Sequence, residues 1–436
     1  MTARHRTTIR IFLAVASLAV IGLTGCGGPT ANGGPIAGQT TTEGLQHATT
    51  TLLPDGRVLA AGGSREGPGP NALSEDSNAP IGLRSAWLFE PATGGWFETG
   101  SMTQGRSGHT ATLLADGRVL AVGGCDFGIP GNTYESSGQL DVFSAEIYDP
   151  PAGQWRATGS LAFGRCHHTA TLLPDGRVLV VGGWLADPCG FPEVFDPTSG
   201  TWAVASQLRT PRFDHTATLL SDGTVMIAGG RWDVGPPTPS DLCVASGGAP
   251  RAEPGSTIDG IVVELEGGAE IEGGHPELDT IELYDPETGR WTSGSPMSGR
   301  RSGATATPLA DGRVLVAGGF YAGMLKSADI YDPATGSWTP AAPMTTGRSG
   351  HAAIPLHDGA VLVVGGCFFD HLVSTERYDP VHDTWQPTAP MPMTHCSPPV
   401  VILPDGKGLL AFDPRSQSTA TYDPATDTWV SAKPEP

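Results

Sequence analysis

The chain lacks the short signatures that announce most soluble catalytic chemistry. It has no HExxH, no phosphate-cradling glycine loop and no evident Ser-His-Asp set, so no motif argues for a zinc hydrolase, a nucleotide hydrolase or a serine hydrolase. Cysteine is sparse, 7 in 436 residues without a CxxC pair, and the spacing of a sequence-legible zinc site is missing. Basic residues are few: 25 Lys and Arg stand against 45 Asp and Glu, a formal net charge of −20. A surface of that sign repels phosphate backbones and anionic headgroups, which excludes nucleic acid as the expected partner. The apolar run from Ile11 to Leu23 falls short of the roughly 20 residues that span a bilayer as a helix.

What the chain does have is repetition. Trp96, Trp155, Trp202, Trp291, Trp338, Trp385 and Trp429 each close a phrase such as SADIYDPATGSW, in which an aromatic (Phe89, Tyr148, Phe195, Tyr284, Tyr331, Tyr378 or Tyr422) precedes an acidic residue and a proline. An earlier phrase in each copy reads like HTATLLPDGRVLVVGG, residues 168–183. Two strand-like runs around a two-residue Asp-Gly turn predict a hairpin, and the aromatic-Asp-Pro phrase with its Thr-Gly turn predicts a second. Four antiparallel strands per copy follow, with copies at about 45–108, 109–167, 168–214, 215–303, 304–350, 351–397 and 398–436.

The Gly-Gly pairs at 62–63, 123–124, 182–183, 229–230, 318–319 and 365–366, with the aromatic and tryptophan that follow, resemble the kelch repeat over residues 45–430. The resemblance implies an all-β, seven-bladed β-propeller. The last copy departs from it, with Ala411 and Phe412 read at the glycine places. Because the first copy opens on its inner strand and the last ends on its outer one, ring closure is expected by packing and not by a swapped strand.

Residues 1–26 read as an address. Arg4, Arg6 and Arg10 precede the apolar run, and LTGC at 23–26 resembles a bacterial lipobox, which makes Cys26 the lipidated first residue of the mature chain. Removing that leader takes three arginines and no acid, leaving 22 basic residues against 45 acidic. Residues 27–44 read as a flexible tether. Expected localisation is the cell envelope, with Gly27 favouring the outer membrane by family analogy, and membrane contact only through the lipid. The repeat register pairs Cys125 with Cys166 and Cys367 with Cys396, leaving Cys189 with Cys243, all suited to an oxidising compartment.

From the Asp of the Asp-Gly turn to the tryptophan, copies three, five and six need 27 residues, whereas copies one, two and four need 41, 39 and 69. The extra residues fall between strands two and three, and hence on one face, where loops on a rigid scaffold build binding sites. Candidate ligand contacts there are Arg106, Arg165, Arg212, Arg301 and Arg348, each three residues before an inner strand, with Tyr134, Trp184, Trp232 and Tyr321 beside them. The arginines also suit a structural role through backbone carbonyls. His109, His168, His215 and His351 repeat with the motif and are read as serving it, and His47 stands one residue out of step. The acidic stretch between 251 and 285 lacks the alternating oxygen ligands of a calcium loop.

Galactose-oxidase-like propellers use a copper held by two tyrosines and two histidines, one tyrosine cross-linked to cysteine. Five of the seven tyrosines here belong to the blade motif, so that site does not carry over. Sialidase-like propellers need an arginine triad and a Tyr-Glu pair, and Tyr134 and Glu135 are adjacent, pointing apart in an extended segment. The reading is a binding module for a protein partner or a saccharide, with no catalytic residue, cofactor or metal assigned. A sialic-acid mutarotase or galactose-oxidase-like enzyme is the alternative.

Overall fold

The computed structural model describes residues 47–65, 81–126, 140–183, 191–232, 257–258, 261–262, 276–368, 370–392, 398–413 and 418–432. Leader, Cys26 and tether lie outside these residues, as do Tyr134, Trp184, Cys189, Cys243, Cys396 and most of the acidic insertion.

Each repeat folds into one four-stranded antiparallel sheet, as in the second copy, where Thr110–Leu113, Val119–Val122, Ala145–Asp149 and Gln154–Ala157 follow one another across it. The first hairpin is wider than the predicted two-residue turn. Leu114 N–H donates to Arg118 O and Gly117 N–H to Leu114 O, with Gly117 at φ 85°. This is a three-residue loop ending on a left-handed glycine, a form whose twist also suits the flanking strands. In the second hairpin Tyr148 faces Trp155, and their rings pack at 5.1 Å.

Among the described residues there are seven such sheets, and each takes its four strands from one stretch of sequence. First strands lie side by side around the ring, and that of the last sheet, Val400–Ile402, lies beside that of the first, Thr49–Leu52. Closure is therefore by packing. Second strands such as Val119–Val122 are buried throughout, and their alternating side chains split between two neighbours. Val119 and Ala121 pack towards the preceding sheet with Leu59 and Leu88, whereas Leu120 and Val122 pack towards the following one with Val178 and Val180. The same partition recurs around the ring, down to Val58 and Ala60 against Leu403 of the last sheet.

Six sheets end their second strand on Gly-Gly, both residues with positive φ. In the last sheet the pairing of Val400 with Leu410 places Phe412 and Asp413 at the glycine positions, one residue beyond the expected Ala411 and Phe412, with a register shift between Ala411 and Asp413. The glycines are needed because the next sheet's connection passes over them. A Cβ on Gly123, at φ 60°, would stand 2.5 Å from Arg165 O and 2.9 Å from His168 Cε1. Gly123→Ala combines left-handed strain with that clash, and urea denaturation should show a loss of about 2 kcal/mol or more.

Candidate functional site

The connections between strands two and three and those entering each inner strand emerge on the same face. Short pairs extend it beyond the sheets: Ser64–Arg65 with Ile81–Gly82, Cys125–Asp126 with Leu140–Asp141, and Arg231–Trp232 with Arg212–Phe213. The opposite face keeps its tight loops, where Asp116 pairs with Arg118, Asp175 with Arg177 and Asp311 with Arg313.

The five arginines belong to the interior and not to the ligand-facing surface. Arg106, Arg165, Arg212, Arg301 and Arg348 are buried, and each pairs with a buried carboxylate: Glu146, Glu193, Glu282, Asp329 and Glu376 respectively. Arg106 shows the build. One terminal nitrogen donates to Gly123 O at 2.8 Å and Ser144 O at 3.0 Å, the other to Ser144 Oγ at 3.0 Å and Glu146 Oε1 at 2.8 Å. Glu146 in turn accepts from the N–H groups of Thr103 and Gln104. The planar donor fork is thus spent on carbonyls and a carboxylate that lock the incoming connection to its sheet. At Glu376, burial alone would raise the pKa, but the Thr345 N–H and hydroxyl and the Arg348 guanidinium hold it below the usual carboxylate range.

A sequence signal for this pairing was present. The acid stands two residues before the blade aromatic in the five copies that directly follow an arginine, and Trp87 and Ala420 replace it in the first and last copies, which do not.

The repeated histidines are likewise internal. His109, His168, His215 and His351 are buried, and their Nε2 atoms lie 2.8–3.1 Å from the hydroxyls of Thr49, Thr110, Thr169 and Thr305 on the neighbouring inner strand. Burial, with the adjacent arginine adding to it, pushes His109, His215 and His351 down to about 3, and His168 well below its ordinary value. They are neutral struts between sheets.

One step before these histidine positions the backbone turns left-handed in the first six sheets: His47 (φ 54°), Gly108 (59°), His167 (54°), Asp214 (52°), Gly303 (60°) and Gly350 (57°), the matching Ser397 of the last lying outside the described residues. These residues crown the channel mouth. Gly108 N–H donates to His47 O, His167 N–H to Gly108 O, Gly303 N–H to Asp214 O and Gly350 N–H to Gly303 O. His47, out of step with the buried histidines, is in step with this crown, where its ring meets that of His167 at 5.4 Å.

Beside the crown, two consecutive pairs meet between the fourth and fifth sheets. The Arg231 guanidinium lies over the Phe320 ring at 5.6 Å, with Nε on Ser302 Oγ at 3.1 Å and Glu277 at 3.7 Å. Trp232, half-buried, and Tyr321, exposed, are the next residues along these two segments. Trp232 and Tyr321 are sequence candidates that flank this contact in the chain, whereas Arg231, Glu277 and Phe320 were missed, having no counterpart in the repeat pattern. Of the predicted disulfides, Cys125–Cys166 is formed, and Cys367 is disulfide-bonded with its partner outside the described residues.

The model of the Kelch motif matches residues 272–298, 300–345 and 348–392. The chain is a kelch-repeat β-propeller. Over 137 residues it is 33% identical to a galactose oxidase of Gibberella zeae, an alignment covering 31% of this chain and 18% of that protein. The propeller therefore matches less than a fifth of its relative's length. Among solved structures, it resembles a fungal alcohol oxidase of the AA5 family in complex with copper, at 16% identity and a TM-score of 0.58, over 84% of this chain and 70% of that one. This likeness is one of fold. The described residues of the propeller do not fit a tyrosine-histidine copper set: Tyr148, Tyr284, Tyr331, Tyr378 and Tyr422 are buried against the blade tryptophans, and the face cysteine Cys125 is in a disulfide.

Proposed function

We infer that the protein is a lipid-anchored, extracytoplasmic seven-bladed propeller that works as a binding module through its insertion-bearing face. The observation that carries the reading is the Arg231–Phe320 contact with its Glu277 partner on that face, flanked in the chain by Trp232 and Tyr321. Aromatic faces beside a cation and a carboxylate suit the apolar face and hydroxyls of a saccharide. The lipobox-like LTGC and the formed disulfide support an envelope location.

The experiment is a thermal-shift and tryptophan-fluorescence titration of residues 27–436 against neutral and acidic saccharides. A ligand at about one hundred times its dissociation constant adds roughly 2.7 kcal/mol. Trp232→Ala and Tyr321→Ala should abolish the shift while leaving the unliganded Tm unchanged. A shift that survives both substitutions removes Trp232 and Tyr321 from the site, and no shift with any saccharide turns the reading to a protein partner. The enzymatic alternative draws on the galactose oxidase relative. Aldehyde or peroxide formation from a sugar alcohol group would favour it.

A further inference from the structure

The Cys125–Cys166 disulfide joins the residue after one Gly-Gly pair to the connection entering the next sheet. The following residue, His167, brings a ring nitrogen within 4.8 Å of both sulfurs. Its backbone is pinned at φ 54° with its N–H on Gly108 O at 3.1 Å. The His47 ring stands edge-on to it at 5.4 Å. The crown residue between the two is Gly108, where a Cβ would already lie 3.4 Å from the His167 ring. Both cysteines are buried and both histidines half-buried, so the imidazoles form the approach from the face.

Two sulfurs and two imidazoles are the donor set of a Cys2His2 zinc site. On one tetrahedral zinc, two imidazole centroids stand roughly 5 Å apart and the donor atoms roughly 3.3–3.8 Å apart. The ring pair already has that spacing; closing the His167 nitrogen on the sulfurs requires movement of about 1 Å, and His47, outside the group of donors within 4.8 Å of one another, must move further. We propose that reduction of Cys125–Cys166 opens a zinc site made by Cys125, Cys166, His167 and His47, so that the clip between the second and third blades is a disulfide under oxidising conditions and a metal under reducing ones.

The chemistry balances. A dithiol reductant supplies two electrons and two protons, its own sulfurs closing into a disulfide, and leaves two thiols. Zinc then displaces both thiol protons and accepts a lone pair from each imidazole, releasing two protons to solvent.

The test uses residues 27–436 without a histidine tag, reduced with a dithiol and desalted anaerobically, with Co(II) as the spectroscopic probe and zinc as competitor. One equivalent should bind with a thiolate-to-cobalt charge-transfer band and tetrahedral d–d bands, absent from the oxidised protein. Cys125→Ser and Cys166→Ser should abolish the charge-transfer band, and His47→Ala and His167→Ala should each weaken zinc by roughly tenfold or more. His382→Ala, at an exposed position, should leave both unchanged. Zinc should also restore Tm lost on reduction of the unsubstituted protein, a readout that needs no variant to fold. The proposal is overturned by a reduced protein that binds no stoichiometric cobalt. A band that persists in the cysteine variants, or zinc affinity indifferent to both histidines, overturns it equally.

Discussion

Replacing Arg348 by methionine should lower the unfolding free energy by about 3–5 kcal/mol, the loss expected when one partner of a buried ion pair is removed. Arg348 donates to Gly365 O, Ser374 O and Ser374 Oγ, and meets Glu376 Oε1 at 2.7 Å. Without it, Glu376 keeps its hydrogen bonds from Thr345 and Thr346 but carries an uncompensated charge in the interior. Adding Glu376→Gln should recover a measurable part of the loss, because the charge is gone and the amide oxygen still accepts from the Thr345 N–H, although its NH2 then faces the Thr346 N–H. Urea midpoints of the single and double variants decide it. Arg313→Met, which breaks the half-exposed pair with Asp311, should cost about 1 kcal/mol or less. Equal losses at Arg313 and Arg348 would refute the brace as the stabilising element.

Acid should weaken the propeller at a pH where its carboxylates are still ionised. His109, His215 and His351 are held neutral down to about 3 by burial, whereas in the unfolded chain they titrate near 6.5. Between those values the unfolded state binds more protons, so stability is fully present above pH 6.5 and falls as the pH drops towards 3. The ceiling is about 1.36 kcal/mol per pH unit for each histidine, or about 2.7 kcal/mol each by pH 4.5. Carboxylates with lowered values, such as Asp116 and Asp311, add their losses only nearer pH 4. The measurement is a urea series from pH 7.5 to 4.5. His215→Gln should flatten the slope between 6.5 and 5, and a slope indifferent to that substitution would assign the acid sensitivity elsewhere.

Much of this architecture was readable without coordinates. The aromatic and tryptophan that mark each copy are the facing residues of the outer hairpin, Tyr148 with Trp155 and Tyr331 with Trp338 among them. Period-two alternation in the second strands divides their side chains between two neighbouring sheets. The Cys125–Cys166 pairing followed from register alone, because equivalent positions in a repeat occupy equivalent places in space. The site was harder to read. An arginine before each inner strand looks the same in sequence whether it points to solvent or inward. Its fate depends on an acid 28 to 70 residues downstream that only the third strand brings within reach.

By itself the sequence determined the sheet, its hairpins and its sevenfold repetition, since local turn chemistry and hydrophobic period act over a few residues and recur with the motif. Tertiary structure alone decided what lines the face. The left-handed crown sets His47 against His167 from sheets that are not consecutive. Arg231 reaches across to Phe320 of the next blade. These contacts depart from the repeat and join distant segments, so no periodicity encodes them, and they exist only once the ring has closed.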